Sequence, residues 1–249
     1  VEVNVELLFR TAVFFYVLAA AGHLLWAKNV LKNTRIGKSF LILAFVLHTA
    51  ELVREAALSG MFPLYNMRNA LVFFSWCIVL LYGALLVRHR FEMLSAFTIL
   101  LALFFVLPAA MVANPPVIVD RPALRDWVTA IHIGLSIFSY ATFCLAAITA
   151  CGYLVEHRRL KEKNLAAVIL RLPPLDILDT IQLKMVRCGL ATLGLGFLFG
   201  LCWAVREGWS PLAEPKIPLT GFVFGMYLIL ALARARFGIS TRGFSAGVI

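Results

Sequence analysis

Seven apolar runs, each long enough to cross a lipid bilayer, constrain this chain more than anything else in it. They lie near residues 7–26, 39–58, 69–87, 93–112, 127–154, 188–205 and 217–233. A hydrocarbon core of about 30 Å is crossed by about 20 residues of helix. Within it every backbone N–H and C=O must be satisfied inside the protein, which for runs of this length means α-helix. Composition agrees. Of the 249 residues, 62% are hydrophobic and 14% charged, where a soluble chain carries roughly 25% charged residues. A water-soluble fold of this size has no interior for so much apolar side chain. The runs are separated by Asn33-Thr34, Phe62-Pro63, Asn114-Pro115-Pro116, Pro173-Pro174, Pro211 and Pro215, residues that interrupt helices. No short repeat or low-complexity linker divides them. The chain reads as one all-α, polytopic transmembrane domain over residues 1–249.

The net charge of +10 invites a nucleic-acid reading until the charges are placed. With the N-terminus outside, the inner segments hold sixteen basic residues against five acidic, and the outer side seven against eight. Inside is then +11 and outside −1, the asymmetry of a multi-pass protein with its cytoplasmic loops rich in Lys and Arg. The basic balance records orientation and contact with membrane lipid, and nucleic acid is set aside. A bacterial-type inner (cytoplasmic) membrane is the expected location. The chain begins at Val1 without a cleavable signal pattern, so its first helix is expected to act as its own membrane signal. The apolar segment 243–249 reads as the start of an eighth span, cut short.

Cys77, Cys144, Cys151, Cys188 and Cys202 include no C-x-x-C pair, so thiol–disulfide exchange lacks its two neighbouring thiols. Between the fifth and sixth spans, Pro173-Pro174 opens a segment with Asp176 and Asp179 in its first turns and Leu175, Leu178, Ile181 and Met185 at helical spacing. Acidic groups suit a helix N-terminus, and the pattern predicts a separate amphipathic helix lying on the cytoplasmic interface.

Polar groups within the spans carry the functional signal, because each is costly there and needs a partner or a task. The second span places His48 near mid-depth, with Glu51 one turn on and Arg54 and Glu55 approaching the outer boundary. A neutral His48 hydrogen-bonded to Glu51 is expected; a proton carrier or haem ligand at His48 is the sharper reading. In the fifth span His132 lies just inside the interfacial Trp127, with Ser136, Ser139, Tyr140 and Phe143 at spacings of four, three, one and three residues. That face offers imidazole, hydroxyls and aromatic rings near the outer surface. His23 is expected at the inner interface, and His89 and His157 in solvated basic loops.

The segment from Phe62 to Trp76, Phe-Pro-Leu-Tyr-Asn-Met-Arg-Asn-Ala-Leu-Val-Phe-Phe-Ser-Trp, resembles the F-P-x-x-N-x-x-E-S-L-x-F-x-S-W stretch of the cytochrome c assembly protein family. These are the haem-handling membrane proteins of the CcsA and HemX type. Asn69 stands in place of the family's acid and Ala70 in place of its serine. The run from Ile131 to Ala141 resembles the family's histidine helix, followed by the basic exit His157-Arg158-Arg159-Leu160-Lys161. Leu172 to Asp179 matches its P-P-x-x-x-L-D segment, and Gly200-Leu201-Cys202-Trp203-Ala204 its G-x-x-W-A helix end.

The resemblance implies haem handling at the outer membrane face, with His132 as an axial ligand to the haem iron. In haem-attaching members a tryptophan-rich outer loop, W-G-x-x-W-x-W-D-P-x-E, and a second outer histidine complete the site. Here that loop is degenerate: Trp209 survives, the W-x-W-D core is gone, and Ile229 occupies the histidine position of a Y-L-H run. A sixth ligand would come from Met61, Met67 or Met111, from a partner, or from chain beyond Ile249. These departures argue against an autonomous haem-attaching enzyme and for the HemX-like branch. The expectation is an accessory membrane protein of c-type cytochrome or haem biogenesis, with haem as cofactor, other membrane subunits as partners, and His132, Ser136, Tyr140, Trp209 and His48 as site residues. The alternative is a cofactor-free structural subunit of a larger respiratory or assembly complex. A transporter built on His48 and Glu51 is a third reading.

Overall fold

A computed structural model describes residues 2–88, 92–112, 126–162, 172–208 and 216–249. Its regular elements are all helices: α1 (Glu2–Ala27), α2 (Arg35–Ser59), α3 (Met67–Arg88), α4 (Glu92–Met111), α5 (Trp127–Lys161), α6 (Leu175–Arg206), α7 (Lys216–Phe237) and α8 (Thr241–Val248). Helices α1–α7 are each long and apolar enough to span a membrane. The helices gather into two compact units, α1–α4 and α5–α8.

In the first unit α1 and α2 cross at their glycines. A Cβ added to Gly22 would lie 2.9 Å from Cα of Gly37, and one added to Gly37 would lie 2.6 Å from Nδ1 of His23. Only glycine lets two helix backbones approach this closely. His23, expected at the interface, is instead fully buried, with Nδ1 2.8 Å from the Ala19 carbonyl. The turn out of α2 is made by Gly60 at φ 65°, whose N–H closes on the Ala56 carbonyl, a left-handed cap that glycine adopts without steric cost. The family-like stretch at 62–76 builds the entry to α3. Asn66 Oδ1 accepts the Asn69 N–H at 2.8 Å, an N-cap that satisfies one of the helix's free donors. Trp76 stacks against Phe45 and Phe73, with ring centroids 5.7 Å apart in both cases, and its Nε1 donates to Thr49 at 2.9 Å.

In the second unit the expected interfacial helix is absent as a separate element. The segment from Leu175 continues unbroken into the sixth span, because no Pro or loop residue interrupts it before Arg206. Its apolar stripe packs on protein: Leu178, Ile181, Val186 and Leu193 are buried. Over 32 residues α6 is about 48 Å long, well beyond the hydrocarbon thickness, so α5 and α6 together project past one boundary. The C-terminal segment forms the short α8, which docks on this pair. Phe244 and Val248 enter the core made by Phe143, Ala146, Ala150, Val186 and Tyr227. Arg234 Nη2 holds Asp179 and Thr241, each at 2.8 Å, and its Nη1 donates to the Ile239 carbonyl. Ser245 donates to Gln182 at 3.0 Å, and Tyr227 to the Val248 carbonyl at 3.1 Å.

Candidate functional site

The α5–α6 interface is a row of side chains seated on glycines. Phe143, Ser136 and His132 of α5 lie over Gly189, Gly196 and Gly200 of α6 in turn. The spacing is seven then four residues on both helices, in opposite directions, as antiparallel packing requires. A Cβ on Gly189 would come 2.4 Å from the Phe143 ring, and one on Gly200 would come 2.5 Å from Cε1 and 2.6 Å from Nδ1 of His132. On its other face Phe143 stacks on Tyr227, 4.0 Å between centroids.

His132 sits about 8 Å inside the Trp127 end of α5 and is partly buried. Its Nδ1 lies 2.7 Å from the Gly196 carbonyl oxygen. A carbonyl only accepts, so Nδ1 carries the proton in this bond. In the neutral ring Nε2 then holds the lone pair. Metal-binding imidazoles are commonly oriented this way, through a bond from the other ring nitrogen to a backbone carbonyl. Ser136 donates to the His132 carbonyl and Ser139 to that of Ser136, both at 2.7 Å. Their protons are thus spent on the α5 backbone and do not orient the imidazole. Tyr140 meets Thr220 of α7 at 3.2 Å. At the mouth, Trp127 packs edge-on against Phe199 at 6.3 Å, and Arg206 faces Asp126 at 3.5 Å.

His48 is fully buried, but its partner is not Glu51. Its Nδ1 lies 3.2 Å from the Tyr16 hydroxyl of α1, and the rings of Phe9 and Tyr16 meet it edge-on. The reason is geometric: α1 crosses α2 closely enough to bring Tyr16 to the imidazole, while Glu51, one turn on, is drawn to Arg54 at 3.4 Å. Glu55, expected to reach outward, is turned in and accepts from the Tyr65 hydroxyl. Arg68 closes this polar end of the unit, donating to the Ala109 carbonyl at 3.1 Å and lying 4.8 Å over the Phe9 ring. Met61 is buried here, and Met67 and Met111 are exposed. Trp209 and His89 lie outside the described residues. Among the described residues no three His, Cys, Asp or Glu side chains are grouped to hold a bare metal ion, so the donor this site offers is a single imidazole.

Residues 64–243, from the loop before α3 to the third residue of α8, match the family model of the cytochrome C assembly protein. The chain belongs to that family. Protein HemX of Brevibacillus brevis is 26% identical to it over 238 residues, 94% of this chain and 86% of that protein. Protein HemX of Bacillus subtilis (strain 168) is 26% identical over 204 residues, 79% and 70%. The cytochrome c biogenesis protein CcsA of Chlamydomonas reinhardtii is 29% identical over 192 residues, 71% of this chain and 52% of that protein; the chain spans about half its length. Membership in the cytochrome c assembly family supports a role in c-type cytochrome biogenesis for this multi-pass membrane protein. The family-like stretches now acquire physical roles: Asn66 caps α3, Asp179 anchors Arg234 and α8, and Gly200 carries His132. Gly196 was not singled out from the sequence, and Gly200 only as the start of the G-x-x-W-A stretch, although their G-x-x-x-G spacing is a known signal of close helix packing.

Proposed function

We propose that this chain is an accessory membrane protein of c-type cytochrome or haem biogenesis that presents His132 to haem at the outer membrane face. The observation that carries the reading is the bond from His132 Nδ1 to the Gly196 carbonyl, 2.7 Å long, which fixes the ring and leaves Nε2 as a ligand atom. Bound haem would supply an iron centre, which the His132 imidazole would hold. The chain's own contributions are orientation and electrostatics. The Gly200 notch sets the ring plane, the Gly196 carbonyl raises the basicity of Nε2 by accepting from Nδ1, and Arg206 at the mouth offers a cation to a carboxylate. Trp127, 64% exposed, marks the membrane–water boundary beside the site. Membrane partners would supply whatever second ligand is used.

The test is the absorption spectrum of the purified full chain after incubation with haemin, alone and with membrane fractions of its native host. A Soret band displaced from that of free haemin is expected. If neither condition gives one, the cofactor-free subunit takes the place of this reading.

The outer location rests on the charge split of +11 against −1. Single cysteines at exposed Met67 and Met111 should react with a membrane-impermeant maleimide added outside intact cells, and cysteines at Lys28 and Lys161 should not. The opposite pattern would put His132 on the inner face.

A further inference from the structure

At the mouth of the His132 site an ion pair continues the antiparallel register of α5 and α6. Six residues separate Asp126 from His132, and six separate Gly200 from Arg206. Both helices therefore put the Asp126–Arg206 pair about 9 Å outward of the imidazole. Trp127 and Phe199, packed edge-on at 6.3 Å, flank this stretch with apolar surface.

The pair is loose. Arg206 Nη1 meets Asp126 Oδ2 at 3.5 Å, with the Arg206 side chain 59% exposed, and an exposed contact of this length contributes little to stability. Asp126 has a second task. It is the N-cap of α5, where its Oδ1 accepts the Val128 N–H at 3.4 Å, and the helix dipole favours a negative charge in that place. Oδ2 can therefore release Arg206 while Oδ1 keeps the cap. A guanidinium can present two parallel N–H groups to one carboxylate, a firmer grip than the single long contact made to Asp126.

We propose that Arg206 anchors a carboxylate on the rim of a haem held by His132, and that Asp126 competes with that carboxylate for the same guanidinium. The inference rests on the His132 reading and adds to it the chemistry of the ligand's other end. A haem carries its acids on the rim, away from the iron, and the offset of about 9 Å between His132 and Arg206 separates the two binding tasks in the same way. The pair then acts as a selector. A free carboxylate displaces Asp126 from Arg206, whereas an esterified rim carries no charge and leaves Asp126 where it is.

Absorption titrations of the purified full chain with haemin and with haemin dimethyl ester, in one detergent, read the competition. Wild type should bind haemin more tightly than the ester. Arg206→Gln should weaken haemin binding about tenfold and leave ester binding unchanged. Asp126→Asn should tighten haemin binding about threefold, since asparagine keeps the cap, and this gain should vanish when Arg206→Gln is also present. Glu207→Gln removes an exposed acid next to Arg206 in the chain and should change haemin binding less than Asp126→Asn does. Equal changes toward haemin and ester in the Arg206 and Asp126 variants would make the pair a structural tie between helix ends and overturn the proposal. A gain in Glu207→Gln as large as that in Asp126→Asn would overturn it too, by showing only the general field at the mouth. Wild type that takes up both compounds equally, through His132, would remove the role of the pair alone. Uptake of neither would sink the His132 reading and this inference with it.

Discussion

His132→Ala is expected to remove the whole Soret band that the purified wild-type chain acquires from haemin, whereas His157→Ala and His89→Ala keep it. The ring is the donor the α5–α6 site offers to iron, and its Nδ1 bond to Gly196 at 2.7 Å leaves Nε2 as the ligand atom. His157 stacks on Tyr153 near the opposite end of α5, about 37 Å away along the helix axis. Losing the hydrogen bond costs the fold about 0.5–1.5 kcal/mol, too little to unfold a helix pair packed on three glycine notches, so helical circular dichroism should persist in the variant. Imidazole added to His132→Gly should then restore part of the band, because the smaller side chain vacates the ring's seat. An unchanged spectrum in His132→Ala would remove this residue from the haem reading.

Gly200→Val should have an effect of similar size while leaving the histidine in place. A Cβ at that position would lie 2.5 Å from Cε1 and 2.6 Å from Nδ1 of His132, and valine adds two methyl groups to it. Either the ring leaves Gly196 or α5 and α6 move apart. Overpacking of this kind costs about 1–3 kcal/mol, read as a lower midpoint of thermal unfolding in detergent, and haem uptake should fall with the loss of the fixed ring. Gly200→Ala should show the same pattern more weakly. Gly83→Ala is the matched control, since nothing lies within 4 Å of a Cβ there and alanine favours a helix by up to about 1 kcal/mol. A Gly200→Val protein that melts and binds haem like wild type would show that the notch does not hold the imidazole.

The membrane-spanning character of the chain was legible because it depends on local quantities. The seven spans follow from apolar run length, whereas the caps at the starts of α3 and α5, Asn66 and Asp126 accepting the Asn69 and Val128 N–H, were not read from the sequence. The His132 face was legible for the same reason, since spacings of three and four residues put side chains on one side of a helix. Where the reading misjudged α6, it took an amphipathic stripe as a sign of the water–lipid boundary. A stripe states only that one face is buried. Whether lipid head groups or protein bury it depends on α5 and α8, which the local pattern does not contain.

Partner choice was likewise beyond local pattern. His48 and Glu51 are neighbours on one helix, and the sequence supports a bond between them as readily as any other. Tyr16, 32 residues away, takes the imidazole instead, because Gly22 and Gly37 let α1 and α2 approach to backbone contact. Gly189, Gly196 and Gly200 act in the same way, each admitting a particular side chain of α5 whose identity depends on antiparallel register. The sequence by itself determined the seven spans, the charge asymmetry and the family-like stretches, all of which are written in composition and short-range spacing. Only the tertiary structure decided which polar group meets which, since a hydrogen bond between helices is set by their separation and register to within about an ångström, and those are properties of two packed surfaces together.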